Sequence, residues 1–210
     1  MSQPKRALVV IDVQNEYFTG NLKIEYPDVA VSLPNVCRAM DAARAHGIPI
    51  VVVQHIAPEG APIFAPGTPG GALHPEIARR DCDLIVEKKR TSALHGTPLA
   101  AWLRERAIDT LTIVGYMTHN CDHTTVLHAG QEGWKVEVLH DATGSVPYAN
   151  EMGFASAEDI HRVFMIVMQS NFAAVASTED WLHAVEDGKP LPSSSIVQSN
   201  RQAVAARSAG

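Results

Sequence analysis

Three places in this sequence pair a reactive side chain with the end of an apolar run: Asp12, the basic cluster Lys88-Lys89-Arg90, and Cys121. A thiol, a carboxylate and a cation together suggest nucleophilic attack with proton transfer and charge stabilisation. Cys121 follows the turn Gly115-Tyr-Met-Thr-His-Asn120 and is expected to open a helix. Free N–H groups and the positive end of a helix dipole there favour thiolate over thiol. The competing reading is a buried structural cysteine, the commoner fate of an unpaired thiol. Asp12 ends a run of five apolar residues. It reads either as a cap on the following loop or as a general base desolvated by the sheet beneath it. Lys88 reads either as a functional cation or as a solvated strand end, and spacing alone does not choose it over Lys89 or Arg90. Cys37, within a helical pattern, and Cys82, in a polar turn, read as structural.

Alternating strands and helices must position these groups. Arg6–Asp12 is a β-branched run without polar alternation, as in a strand buried on both faces. Ser32 is expected to cap a helix carrying Val36, Ala39, Met40 and Ala43 at helical spacing, ended by Gly47. Further strands are expected at 48–55, 84–88, 110–116, 135–141 and 172–176. Helices are expected from Thr97-Pro98 to about Arg106, from Cys121 to Gly130, from Ser156 to Met168, and from a Thr178 cap to Glu186. Residues 57–75, rich in Pro and Gly, read as a long functional or mobile loop. The implied fold is α/β: a three-layer α/β/α, doubly wound, six-stranded and mainly parallel sheet. Ligands of such sheets sit beyond the carboxyl ends of the strands. That rule selects Asp12, His55, Lys88 and the segment 115–121. The domain spans 1–187, and the tail 188–210 is expected to be mobile or swapped onto a neighbour.

Composition narrows the function. A chain of 210 residues, 46% hydrophobic and 19% charged, has material for one real core. A net charge of −6 argues against a nucleic-acid binder, and no apolar run suffices to span a bilayer. The N-terminus does not read as a signal peptide. Three cysteines without a C-x-x-C spacing form no disulfide framework, so a cytoplasmic setting is expected. No G-x-G-x-x-G or Walker loop follows any strand, which removes a nucleotide-binding domain. A thiol redox sensor would need a resolving cysteine near Cys121, and neither Cys37 nor Cys82 is expected there.

The runs Ala7-Leu-Val-Val-Ile-Asp-Val-Gln-Asn-Glu-Tyr-Phe18, Glu87-Lys-Lys-Arg-Thr-Ser-Ala-Leu-His-Gly-Thr97 and Gly115-Tyr-Met-Thr-His-Asn-Cys121 lie in order along the chain, with Thr125 and Val138-Leu-His-Asp-Ala142 beyond. Together they resemble the isochorismatase-like hydrolases, the cysteine hydrolase superfamily, over residues 6–182. The resemblance implies a triad of Asp12, Lys88 and Cys121. Lys88 aligns because the family's lysine precedes the Ser92-Ala93 pair by four residues. It also implies a non-proline cis peptide at Tyr116-Met117 and an oxyanion hole from the Met117 and Cys121 N–H groups. The implied reaction hydrolyses a C–N bond of a small amide, carbamoyl or ureido compound through a Cys121 thioester, without a cofactor. The alternative is isochorismatase-type hydrolysis of a vinyl ether with Asp12 as general acid. Members that do this typically lack the cysteine, so Cys121 tilts the reading toward amides.

The sequence also departs from the family. Gln54-His-Ile-Ala-Pro58 lacks the Asp-x-His cluster of nicotinamidases, so no metal site is expected. The helix expected at His119, Cys121 and His123 would scatter their side chains away from a shared ion. Asp122-His123 replaces the apolar and small residues usual after the cysteine. Gln14, Phe18, His55, Tyr116 and His119 are the candidate pocket residues, with Tyr17 beside them. Gln14 is also a candidate to orient Asp12. The 57–75 loop, which carries Phe64, reads as a lid or an interface. The expected partners are a small-molecule substrate and further copies of the chain, as a dimer or tetramer.

Overall fold

The computed structural model describes residues 3–208. From the N-terminus it runs β1 (Arg6–Ile11), α1 (Glu16–Thr19), α2 (Val29–Ala45), β2 (Ile50–His55), α3 (Pro75–Ala78), β3 (Leu84–Lys88), α4 (Leu99–Glu105) and β4 (Thr110–Tyr116). A π-helical turn, Thr118–Asp122, then runs directly into α5 (His123–Gln131). There follow β5 (Lys135–Gly144), a hairpin of β6 (Tyr148–Asn150) and β7 (Gly153–Ala155), α6 (Ala157–Val167), a second π-helical turn (Met168–Phe172), β8 (Ala174–Ala176), α7 (Thr178–Glu186) and α8 (Ile196–Ser208).

Six strands form one sheet in the order β3-β2-β1-β4-β5-β8, and every pairing in it is parallel. The chain leaves β1 toward β2 and later returns to β4 on the other side. The crevice between β1 and β4 is therefore the topological switch point. Alternate residues of β1 feed two cores. Leu8 and Val10 pack with Val36 and Met40 of α2 and Trp181 of α7. Ala7, Val9 and Ile11 pack with Leu99 and Leu103 of α4 and Val126 of α5. Helices thus cover both faces, which is why the inner strands could be apolar without alternation.

Several boundaries move from the sequence reading for local reasons. Helix α2 starts a turn before Ser32, because the Asp28 side chain accepts the Ala30 N–H and caps it. Ser32 instead lies buried inside the helix and hydrogen-bonds the Tyr116 hydroxyl at 2.8 Å. The α7 cap is Ser177 rather than Thr178. β2 begins at Ile50, after Pro49, and β5 extends to Gly144 past a register shift. β8 begins at Ala174 because the π-helical turn prolongs α6 through Phe172. In the C-terminal segment Leu191 is buried and residues Ile196–Ser208 form a helix.

A buried ion pair fixes the base of the sheet. Arg6 grips Glu137 through two nitrogens at 2.9 and 2.8 Å and donates to the Lys189 carbonyl. Glu137 also accepts from Thr112 and from the Trp181 indole. This fully partnered network ties β1, β4, β5 and α7 to the start of the C-terminal segment, and its hydrogen bonds offset the desolvation of two charges.

Candidate active site

β1 stops at Asp12, whose backbone takes a left-handed φ of 51° while its N–H still bonds the Val53 carbonyl. Aspartate tolerates that conformation better than most residues. It turns the chain out of the sheet and leaves the carboxyl at the strand end, fully buried. Lys88 comes from the edge strand β3, where burial alternates: Val86 and Lys88 face inward, Ile85 and Glu87 outward. Lys89 and Arg90 are exposed. The two-residue period of a strand therefore separates Lys88 from Lys89, and Arg90 lies beyond the strand's end.

Cys121 does not open a helix. It lies inside the π-helical turn, where the Met117 carbonyl takes the N–H groups of both Asn120 and Asp122. Thr125 anchors the turn, donating to the Cys121 carbonyl at 2.7 Å and accepting the Ala93 N–H at 3.0 Å. The Tyr116-Met117 peptide is cis.

The three side chains meet in a closed space. Lys88 Nζ lies 2.7 Å from Asp12 Oδ2 and 3.2 Å from Cys121 Sγ. It also donates to the Arg90 carbonyl at 3.2 Å and approaches His55 Nδ1 at 3.3 Å. Asp12 and the ammonium thus form a fully buried ion pair. Burial raises the Asp12 pKa against the lowering pull of Lys88. Burial opposes the Lys88 charge, but the charges of Asp12 and Cys121 outweigh it and raise the Lys88 pKa. Burial also raises the Cys121 pKa, Asp12 adds to the rise, and Lys88 opposes it. The net push on the sulfur is therefore toward the thiol form. The helix-start position expected from sequence to favour a thiolate is not found, because Cys121 lies inside the turn, and burial pushes its pKa the other way.

The candidate pocket residues divide. Gln14 does not orient Asp12: its amide accepts the His55 N–H and donates to the His55 and Gly71 carbonyls, so it holds the end of β2 and the following loop. Tyr116 is a core residue, fully buried with its hydroxyl on Ser32. Phe18 packs on His74 at 4.3 Å and on Tyr116 at 5.8 Å between ring centroids. His55 lies beside Lys88, and burial plus that ammonium hold its pKa down at about 4. His119 bridges Ser145 at 3.1 Å and Tyr148 at 3.0 Å, and burial lowers its pKa to about 4. His123 turns away to stack against Phe164 at 4.9 Å. Among the described residues, no three His, Cys, Asp or Glu side chains are grouped to hold a metal ion.

The long loop, expected as a lid or an interface, reaches the site, and so does a hairpin that the sequence reading missed. Phe64 is buried, with its ring 5.2 Å from Tyr17 and 5.4 Å from His55, so the 57–75 loop walls the site. Tyr148, on β6, closes on His119 from the other side. Neither segment carries a periodic signal; a phenylalanine in a Pro/Gly loop was the only clue to the first. Asp122 is fully buried with no hydrogen-bond partner for either oxygen. Burial, with Asp12 adding, raises its pKa well above the ordinary value. A hollow of about 780 Å³ lies elsewhere, at the opposite end of the sheet by Lys5, His46 and Arg106. It holds none of these reactive groups and is a surface groove.

Comparison with known proteins agrees with this architecture. The isochorismatase domain family matches residues 6–180. The crystal structure of a putative isochorismatase from Burkholderia xenovorans superposes with a TM-score of 0.97 at 60% identity, covering 99% of this chain and 100% of that one. The secreted isochorismatase effector Isc1 of Verticillium dahliae is 32% identical over 82% of this chain and 88% of its own. Two amide hydrolases are more distant relatives. The nicotinamidase/pyrazinamidase of Mycobacterium tuberculosis is 28% identical, covering 67% of this chain and 87% of its own. The N-carbamoylsarcosine amidase of an Arthrobacter species is 27% identical, covering 66% and 59%. The chain belongs to the isochorismatase family.

Proposed function

We propose that this protein hydrolyses a C–N bond in a small amide, carbamoyl or ureido compound through a thioester on Cys121. The observation that carries the reading is one buried ammonium, Lys88, touching both a carboxylate and a thiol at 2.7 and 3.2 Å. The amide-hydrolase names among the relatives support the same bond class.

In this mechanism Asp12 takes the thiol proton as Cys121 attacks the carbonyl carbon. The raised pKa of Asp12 narrows its gap to the thiol, so the transfer costs less than it would to an ordinary aspartate. Lys88 stays protonated and offsets the charge on whichever partner carries it. The oxyanion accepts hydrogen bonds from the Met117 and Cys121 N–H groups. Asp12 returns its proton to the departing nitrogen, leaving the thioester. Water then gives a proton to Asp12 as it attacks, and the expelled thiolate takes that proton back.

A second reading has an observation in its favour. A buried aspartate with a raised pKa is also a competent general acid for a vinyl ether, and the Verticillium relative carries the isochorismatase name. Ammonia release from a panel of amides, carbamates and ureido acids, with isochorismate beside them, separates the two. Amide turnover that vanishes in Cys121→Ala is the expected result. Turnover of isochorismate alone, retained in that variant, would replace the first reading with the second.

A further inference from the structure

The Lys88 ammonium has three protons and four neighbours. Aligned contacts run to Cys121 Sγ, the Arg90 carbonyl and His55 Nδ1, at 3.2, 3.2 and 3.3 Å. The nearest neighbour is Asp12 Oδ2 at 2.7 Å, so four acceptors compete for three protons. An ammonium can only donate, so His55 Nδ1 is the acceptor and the ring proton sits on Nε2.

We propose that His55 is a positioning residue for the reaction proposed above: by accepting a hydrogen bond from Lys88, it competes with Asp12 for the ammonium's donors and so keeps the carboxylate's affinity for the thiol proton high. The frame around His55 fits this role. His55 is the ladder partner of Lys88 in the β2–β3 pairing. Its backbone N–H and carbonyl are both held by the Gln14 amide. Its ring is packed edge-on by Phe64 from the long loop. The cluster is assembled from five elements: Asp12 after β1, His55 on β2, Lys88 on β3, Tyr17 on α1, and Cys121 with Asp122 in the π-helical turn. Burial and the adjacent ammonium hold the His55 pKa at about 4, which keeps the ring neutral and able to accept above that pH.

Without the His55 acceptor, the freed N–H has Asp12 Oδ2 as its closest partner. A stronger hydrogen bond there stabilises the carboxylate and lowers its proton affinity. His55→Phe removes the acceptor while keeping a ring against Phe64. His55→Asn restores an acceptor near the Nδ1 position. Iodoacetamide, a small electrophile that needs no knowledge of the substrate, reports the chemistry through its alkylation rate at Cys121. The rate is read by peptide mass spectrometry from pH 5 to 9, with Cys82 as reference and thermal melting as the check on folding.

His55→Phe is expected to alkylate roughly tenfold more slowly at pH 7, the factor that goes with a one-unit change in a pKa, with the acid limb of its profile displaced. His55→Asn is expected to return to within about threefold of the native rate, on the same tenfold-per-unit scale. A His55→Phe profile matching the native one overturns the proposal. So does a His55→Asn variant as slow as His55→Phe, which would assign the effect to ring packing. If Cys121 in the native protein were no more reactive than Cys82 at any pH, the thiol mechanism itself would fail, and this role with it.

Discussion

Gly115 is the position where a single methyl group should do most damage. It pairs with Ile11 across the β1–β4 seam, at a φ of 117° that L residues rarely adopt. A Cβ built there lies 2.0 Å from the Ile11 carbonyl oxygen, 2.7 Å from its nitrogen and 2.8 Å from its carbonyl carbon. These are backbone atoms of a central strand bonded on both sides, so no rotamer change relieves the overlap. The unfavourable φ costs about 1–3 kcal/mol. Forcing extra volume into a packed interior adds about 1–3 kcal/mol. Gly115→Ala should therefore lose roughly 2–6 kcal/mol, against a typical total of about 5–15 kcal/mol. Ile11 leads directly into Asp12, so the same push displaces the carboxylate proposed as general base. Misplacement by about 1 Å can cost on the order of 100-fold in rate. Gly130 is the control: it is exposed in α5 with nothing within 4 Å of an added Cβ. Gly130→Ala should gain about 0.5–1 kcal/mol through helix propensity. Urea unfolding of both variants, together with the iodoacetamide rate at Cys121, checks this. A Gly115→Ala protein within about 1 kcal/mol of native stability would refute the close-approach argument.

Other outcomes follow from the same geometry. Glu137→Ala strands the buried Arg6 guanidinium and should cost about 3–5 kcal/mol in denaturant unfolding; a small loss would mean that Arg6 finds water instead. Ser32→Ala orphans the Tyr116 hydroxyl and should cost about 1–3 kcal/mol, while Ser32→Ala with Tyr116→Phe should recover part of that loss in a double-mutant cycle. His161 is buried on Thr118, and burial lowers its pKa to about 4. The unfolded chain then binds the extra proton first as the pH falls below the ordinary histidine value. Stability should therefore drop between about pH 6.5 and 4, by on the order of 2–3 kcal/mol from this residue. His161→Gln should flatten that slope in pH-dependent melting, and an unchanged slope would assign the acid sensitivity to other groups.

The positions of Asp12, Lys88 and Cys121 were legible because they depend on strand ends. Apolar runs located β1, β3 and β4, and the rule that ligands bind past the carboxyl ends then selected Asp12, Lys88 and the 115–121 segment. The choice of Lys88 over Lys89 was also available from strand parity, since Lys88 shares the inward face of Val86. Less visible were features set by tertiary contact. A π-helical turn and an α5 helix share the same side-chain pattern in sequence, so the place of Cys121 within the turn could not be read. The thiol's raised pKa follows from burial beneath elements distant in the chain. Phe64 reaches His55 across a loop without periodicity, and Tyr148 reaches His119 from a three-residue strand. Gln14 and Tyr116 lie close to the site in sequence, but backbone amides and Ser32 had already claimed their polar atoms.

The central claim is a covalent acyl group on the Cys121 sulfur, and the most direct measurement is its capture. Protein turning over an active amide from the panel would be acid-quenched, digested and weighed, with and without hydroxylamine. The account predicts that the peptide bearing Cys121 gains the substrate's acyl mass, and that hydroxylamine removes it as the hydroxamate. Steady turnover with Cys121 always unmodified, and undiminished in Cys121→Ala, would contradict it and leave Asp12 acting on water or substrate without the thiol.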